Sequence, residues 1–318
     1  MLLRALALAA LLIAAPALAA PKTPAQQLQL VDLTGDFARV WAATEQLPDV
    51  DRPAAFSAQF APILPGFYDY RREGAGPESR FNARLLRALK AYPERRAGID
   101  QVSARFDTMF QPALSTFERR FGPMTGYPPV YLVNSLGEFD GGTRELGGRP
   151  VLLFGPDVIA RLHMAHDIQP FFHHELFHLY HQRHLPECPQ VWCGLWTEGL
   201  AVYVAKSLNP KATDEDLLLT QPEALRPAID KNRDLAVCTV VAQLDSQDEK
   251  VMGALFSDGR IRPELPPRFG YYVGYLAAGE MGRSHSLKQL AAMKPAQVRP
   301  ALEAALRRLA TCPAAKAA

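Results

Sequence analysis

Apolar positions recur along most of the chain at helical spacing, and only briefly at strand spacing. From Gln26 to about Phe121 they fall on one helical face after another: Leu28, Leu30, Val31, Phe37, Val40 and Trp41 first, then Leu85, Leu86, Leu89, Phe106, Met109, Phe110, Leu114 and Phe117. Pro48, Pro53, Pro62, Pro65 and Pro77 break the middle of this region into turns. The aromatic set Phe56, Phe60, Phe67, Tyr68 and Tyr70 suits the filling of a small helical core better than the lining of a cleft. Two short runs rich in β-formers follow, Val130-Tyr131-Leu132-Val133 and Val151-Leu152-Leu153-Phe154, separated by Asp140-Gly141-Gly142-Thr143 and Gly147-Gly148. They predict two or three antiparallel strands. Helical patterning then resumes. It covers the stretch after Asp167, the expected N-cap, with Pro170 in the first turn, and continues over Leu195 to Leu208 and Glu223 to Leu244. Two amphipathic helices joined near Pro295 are expected at the end, with Leu287, Leu290, Val298, Leu302 and Leu309 facing the core. The pattern as a whole predicts an α+β fold, predominantly helical, with a small antiparallel sheet preceding a pair of helices.

Composition narrows the class only modestly. A chain of 318 residues that is 48% hydrophobic can bury a sizeable core in one domain or two. With 35 basic and 33 acidic side chains and no basic run, nucleic acid and anionic membrane surfaces are poor partners. Met1 to Ala19 reads as a secretory signal peptide: Arg4, an apolar run from Ala5 to Ala15, and the small-residue end Ala17-Leu18-Ala19. The expected organisation is residues 1–19 signal peptide, 20–121 an N-terminal helical region and 122–318 the functional domain. After signal cleavage no membrane anchor remains, and the expected location is outside the cytoplasm, in the periplasm. Four cysteines in an exported chain suggest two disulfides out of three possible pairings. Cys188 and Cys193 share one loop, so their pairing is expected, and Cys238 with Cys312 follows by default.

Candidate chemistry concentrates in Phe172-His173-His174-Glu175-Leu176-Phe177-His178 and in Trp196-Thr197-Glu198-Gly199-Leu200-Ala201. On a helix, His174 and His178 stand one turn apart on the same face and can aim two imidazoles at one Zn²⁺, with Glu175 beside the ion as a base for its water. A catalytic zinc takes three protein ligands, and Glu198 on the second helix is the expected third. His184 sits where a third histidine would stand in the motif that has glycine after the second ligand. This chain has His181 at the glycine position, so His173, His181 and His184 are expected at the surface or behind the ligands.

His174-Glu175-x-x-His178 followed by Glu198 resembles the gluzincin zinc metallopeptidases, and Trp196 to Ala201 resembles a little-characterised group of predicted zinc-dependent proteases. The likeness runs from about Val130 to His285. It implies zinc on His174, His178 and Glu198, Glu175 as general base, and a peptide or protein substrate. It also implies a sheet whose edge strand binds extended peptide, although the glycines before the metal helix suit simple turns equally well. Val202 stands where thermolysin-like members carry an aspartate, so the carboxylate that steadies a ligand histidine in that branch is not at this position. An oxyanion donor is expected among Tyr271, Tyr272, Tyr275 and His285, in a stretch that resembles the same group. The competing reading is a non-catalytic binding or structural protein that keeps zinc on the same helix pair.

Overall fold

The computed structural model describes residues 27–72, 74–186 and 188–313, so the signal-peptide expectation for residues 1–19 lies outside the described residues. The order of elements is β1 (Leu30–Asp32), α1 (Thr34–Thr44), α2 (Arg52–Phe60), α3 (Glu78–Phe121), β2 (Val130–Leu132), β3 (Gly141–Leu146), β4 (Arg149–Phe154), α4 (Pro156–Leu162), α5 (Gln169–His181) and α6 (Val191–Leu208). Six helices complete it: α7 (Leu225–Lys231), α8 (Arg233–Val241), α9 (Glu249–Phe256), α10 (Phe269–Gly282), α11 (Leu287–Ala291) and α12 (Pro295–Leu309). The fold is α+β and mostly helical.

The sheet is mixed, which corrects the antiparallel expectation. Its order is β1-β2-β4-β3, with β1 parallel to β2, β2 parallel to β4, and only β3 antiparallel to β4. Leu30 and Val31, read above as helical, lie in β1 and pair with Val130 and Tyr131. Three residues carry too little periodicity to separate strand from helix, and their partner strand is far along the chain. Gly147 and Gly148, both at positive φ (60° and 74°), make the two-residue turn between β3 and β4. Gly141 instead opens β3, which forms one edge of the sheet.

Helix α3, 44 residues long, takes part in both hydrophobic cores. Its first half contributes Phe81, Leu85, Leu89 and Tyr92 to an aromatic cluster with Phe37, Phe56, Phe60, Phe67 and Tyr68, as expected, while Tyr70 is exposed. Its second half contributes Phe106, Phe110 and Phe117 to the main core. There Phe106 and Phe110 pack edge-on to Phe172 of α5, each with ring centroids 5.4 Å apart, and Phe154 of β4 stands 5.4 Å from the same ring. Each fully buried ring contributes about 1.5–3 kcal/mol. Together they clamp α5 between α3 and the sheet.

Helix α5 begins at Gln169. The Asp167 carboxylate accepts from the Gln169 N–H at 3.0 Å, and Pro170 occupies the first turn, where its missing N–H costs nothing. Helix α6 starts at Val191, four residues earlier than the pattern suggested, and the expected helix over Glu223 to Leu244 divides into α7 and α8 at Asn232. Both expected disulfides are present: Cys188–Cys193 joins the α5–α6 connection to the first turn of α6, where Cys193 lies instead of in the loop, and Cys238–Cys312 joins α8 to the C-terminal segment. No helix among the described residues is long and apolar enough to cross a membrane.

Candidate metal centre

Helices α5 and α6 pack side by side and bring His174, His178 and Glu198 together. The two Nε2 atoms lie 2.9 Å apart, and Glu198 Oε2 stands 3.4 Å from His174 Nε2 and 3.3 Å from His178 Nε2. Nitrogen and oxygen ligands held at about 2.0–2.1 Å by a tetrahedral ion stand about 3.3 Å from one another. The residues therefore fit a metal ion, and among the described residues this is the one group of histidine, cysteine and carboxylate side chains with the spacing to hold it.

The electrostatics suit a cation. Burial, and then the neighbouring His178, push the His174 imidazole below its usual range, which keeps it neutral as a ligand must be. Burial alone would raise the Glu198 carboxyl, but His178 and His174 outweigh it and hold the group well below the usual carboxylate range. Glu175 behaves differently. Burial pushes its carboxyl up to about 8 against the pull of His178, and its Oε2 has no hydrogen-bond partner. A buried carboxylate oxygen without a partner is costly unless something is meant to meet it.

These residues line a cavity of about 360 Å³ with Asp140, Gly141, Thr143 and Arg144 of the β3 side, His181 of α5, and Arg268 and Tyr271 at the start of α10. Gly141 lets the strand lie directly on Glu175: a Cβ there would sit 2.8 Å from Glu175 Cγ and 2.8 Å from Phe171 Cζ. Asp140 anchors the start of that strand. Its Oδ2 lies 2.7 Å from His163 Nε2, its Oδ1 accepts from the Gly141 N–H, and its carbonyl accepts from the Gly155 N–H. Burial alone would raise the Asp140 carboxyl, but these contacts, His163 first, hold it below its usual range. The His163 ring in turn stacks on Phe171 at 4.1 Å.

On the opposite side α10 crosses α6 with the two backbones in contact. A Cβ on Gly199 would fall 2.2 Å from the Gly274 carbonyl carbon, and one on Gly274 would fall 2.4 Å from the Leu195 carbonyl oxygen. Only glycine permits this approach. Because Gly199 follows Glu198, and Gly274 lies one turn after Tyr271, the crossing places Tyr271 next to the ligand set.

Among the four expected oxyanion donors, the structure brings Tyr271 alone to the cavity. Its ring lies 6.4 Å from that of His174. Burial, then the charge of Glu198, push its phenol above the usual range, so it stays a hydrogen-bond donor. Tyr272 is buried elsewhere, accepting from Arg226 Nη1 at 3.0 Å and donating to Asp230 Oδ1 at 3.2 Å, and Tyr275 stacks on it. His285 follows the end of α10 and contacts Ser284 and the Met281 carbonyl. Helical geometry separates them: residues one and four positions along point away from, or lie a turn beyond, the face that Tyr271 presents.

The remaining histidines are also resolved. His184 is outside the ligand cluster, packed against Tyr180 at 5.0 Å. His173 and His181 are buried, not at the surface. His173 Nε2 lies 3.1 Å from the Ala113 carbonyl of α3, and its Nδ1 accepts from Asn209 Nδ2 at 2.7 Å, so it ties α5 to α3 and to the end of α6. Val202 is a buried core residue of α6 that lines the cavity without a carboxylate to offer. Asp140, Arg144, His163 and Arg268 were not singled out from the sequence. The only local signal was the glycine-rich stretch around Asp140.

No protein-family model, curated protein or solved structure matches the chain.

Proposed function

We propose that the protein is a zinc-dependent peptidase, exported to an oxidising compartment. The observation that carries this reading is Glu175: a buried carboxylate with one unpartnered oxygen, beside three converging metal ligands but not one of them. A structural metal site normally has four protein ligands and no use for a basic neighbour. An ion held by His174, His178 and Glu198 supplies a Lewis acid that polarises a carbonyl and acidifies a water. Glu175 takes the proton of the attacking water and delivers it to the departing amine nitrogen. Tyr271 donates a hydrogen bond to the carbonyl oxygen as it gains negative charge. The free edge of β3 runs along the same cavity and offers backbone groups to an extended peptide. Two disulfides accord with the exported location.

The direct test is metal analysis of the purified protein together with hydrolysis of a mixed peptide library, with and without chelator. Stoichiometric zinc and chelator-sensitive cleavage are expected. Zinc without cleavage of any peptide would favour a binding or structural role for the same site.

A further inference from the structure

Two guanidinium groups border the metal cavity without a carboxylate partner. Arg144, on β3, donates through Nη1 to the neighbouring Thr143 carbonyl and lies over the Phe139 ring at 5.0 Å. Arg268, at the N-cap of α10, donates through Nη1 to the Gln221 carbonyl at 2.9 Å and lies over the Tyr271 ring at 4.6 Å. Among the described residues neither forms an ion pair. Other arginines are paired, such as Arg226 with Asp214, Arg299 with Asp245 and Glu303, and Arg84 with Glu138, whereas among the described residues Arg119 and Arg183 bond only hydroxyls or a carbonyl.

What sets Arg144 and Arg268 apart is position: both line the cavity that holds His174, His178 and Glu198. Arg144 lines the cavity with Gly141 and Glu175, and Arg268 lines it with its guanidinium over the Tyr271 ring. The two charges thus flank the proposed base and the proposed oxyanion donor from separate walls of the cavity. Arg268 also has a left-handed backbone, φ 63°, which a non-glycine residue adopts at some energetic cost. A guanidinium remains charged at any ordinary pH, on the exposed Arg144 as on the half-buried Arg268, and holds several donors in a planar fork suited to a carboxylate. Arg144, with Thr143 and Gln182, is shared with a second cavity of about 590 Å³ along the same strand. A peptide lying on β3 can therefore continue past Arg144.

We propose that Arg144 and Arg268 select substrates carrying a carboxylate next to the bond that is cleaved. This inference rests on the peptidase reading, and it concerns recognition. The carboxylate belongs either to an aspartate or glutamate side chain or to the C-terminus of the peptide. Its chemistry is the same in both cases.

The test uses four versions of one fluorescent hexapeptide, with Glu or Gln at the penultimate position and a free or amidated C-terminus, so that either carboxylate stands beside the last peptide bond. Binding is measured on zinc-loaded Glu175→Gln protein alone and combined with Arg144→Gln or with Arg268→Gln, and hydrolysis on wild type, Arg144→Gln and Arg268→Gln. At least one carboxylate is expected to tighten binding by about tenfold or more, an advantage that either arginine substitution reduces. Side-chain dependence would identify an acidic residue, and terminus dependence a C-terminal carboxylate. Equal binding of all four peptides would overturn the inference, whether or not wild type cleaves them. An advantage unaffected by Arg144→Gln, an exposed position whose replacement leaves the core intact, and by Arg268→Gln would overturn it as well. Carboxylate-dependent binding that the arginine variants weaken, with no cleavage by wild type, would retain carboxylate recognition by Arg144 and Arg268 and remove the peptidase reading.

Discussion

Gly141 and Glu175 are in direct steric register: the strand that opens at Gly141 passes so close to the Glu175 side chain that a methyl group would sit 2.8 Å from its Cγ. The proposed base is thus held by the backbone of the sheet edge, and the candidate ligands by the packing of α5 on α6. Gly141→Ala is expected to displace Glu175 or Phe171 and cost about 1–3 kcal/mol by overpacking. Peptide hydrolysis should fall at least about tenfold while metal content is retained, since general-base catalysis depends on a hydrogen-bond-length approach. Full activity in a metal-loaded Gly141→Ala protein would show that this contact does not position the base.

Much of this arrangement was legible in the sequence because it is local. Four-residue spacing puts His174 and His178 on one helical face whatever surrounds them, and Cys188 and Cys193 are only five residues apart along the chain. What was not legible is non-local. The strand at Leu30 is defined by pairing with Val130 across the length of α1, α2 and α3, and three residues cannot announce it. Sheet direction likewise follows from the path of the chain between strands, which the apolar runs do not encode. Asp140, Arg144 and Arg268 reach the cavity only because β3 docks on α5 and α10 crosses α6 at Gly199 and Gly274. Choosing Tyr271 from its neighbours needed the rotation of α10, which that same crossing sets.

Glu198→Ala should lose the ion on dialysis against a chelator concentration that leaves wild type loaded. His184→Ala should retain it, because His184 packs on Tyr180 outside the cluster. Metal content by mass spectrometry decides the matter, and the opposite pattern would refute the ligand assignment.

Tyr271→Phe is expected to lower kcat by about 10²-fold or more, the scale of losing one oxyanion donor. Tyr272→Phe should spare kcat and reduce stability by about 1 kcal/mol, because Arg226 and Asp230 lose a buried partner. Steady-state kinetics with thermal melting on the two variants distinguishes the roles. Equal kinetic losses would mean that Tyr271 has no special place.

His181 predicts an acid-sensitive fold. It is buried with Nε2 unpartnered, and burial, then the charges of His178 and His184, push its imidazole down to about 3. An unfolded chain holds the same group near the ordinary histidine value of about 6.5, so below that pH it binds a proton the folded protein excludes. The stabilisation from keeping His181 neutral is complete above about 6.5 and is lost as pH falls toward the folded value. Urea unfolding should show a smaller drop in midpoint between about pH 7 and about pH 4.5 for His181→Leu than for wild type. The same drop in both proteins would assign the acid sensitivity to other groups.

The central claim is that Glu175 is a base and not a ligand, and Glu175→Gln tests it most directly. The substitution preserves size and hydrogen bonding but removes the carboxylate, while His174, His178 and Glu198 keep their mutual spacing. Metal content, melting temperature and peptide hydrolysis are to be measured side by side with wild type. The account predicts an unchanged metal content, a preserved fold and hydrolysis reduced by about 10²–10⁴-fold. A variant that retains both its metal and full peptidase activity would contradict it.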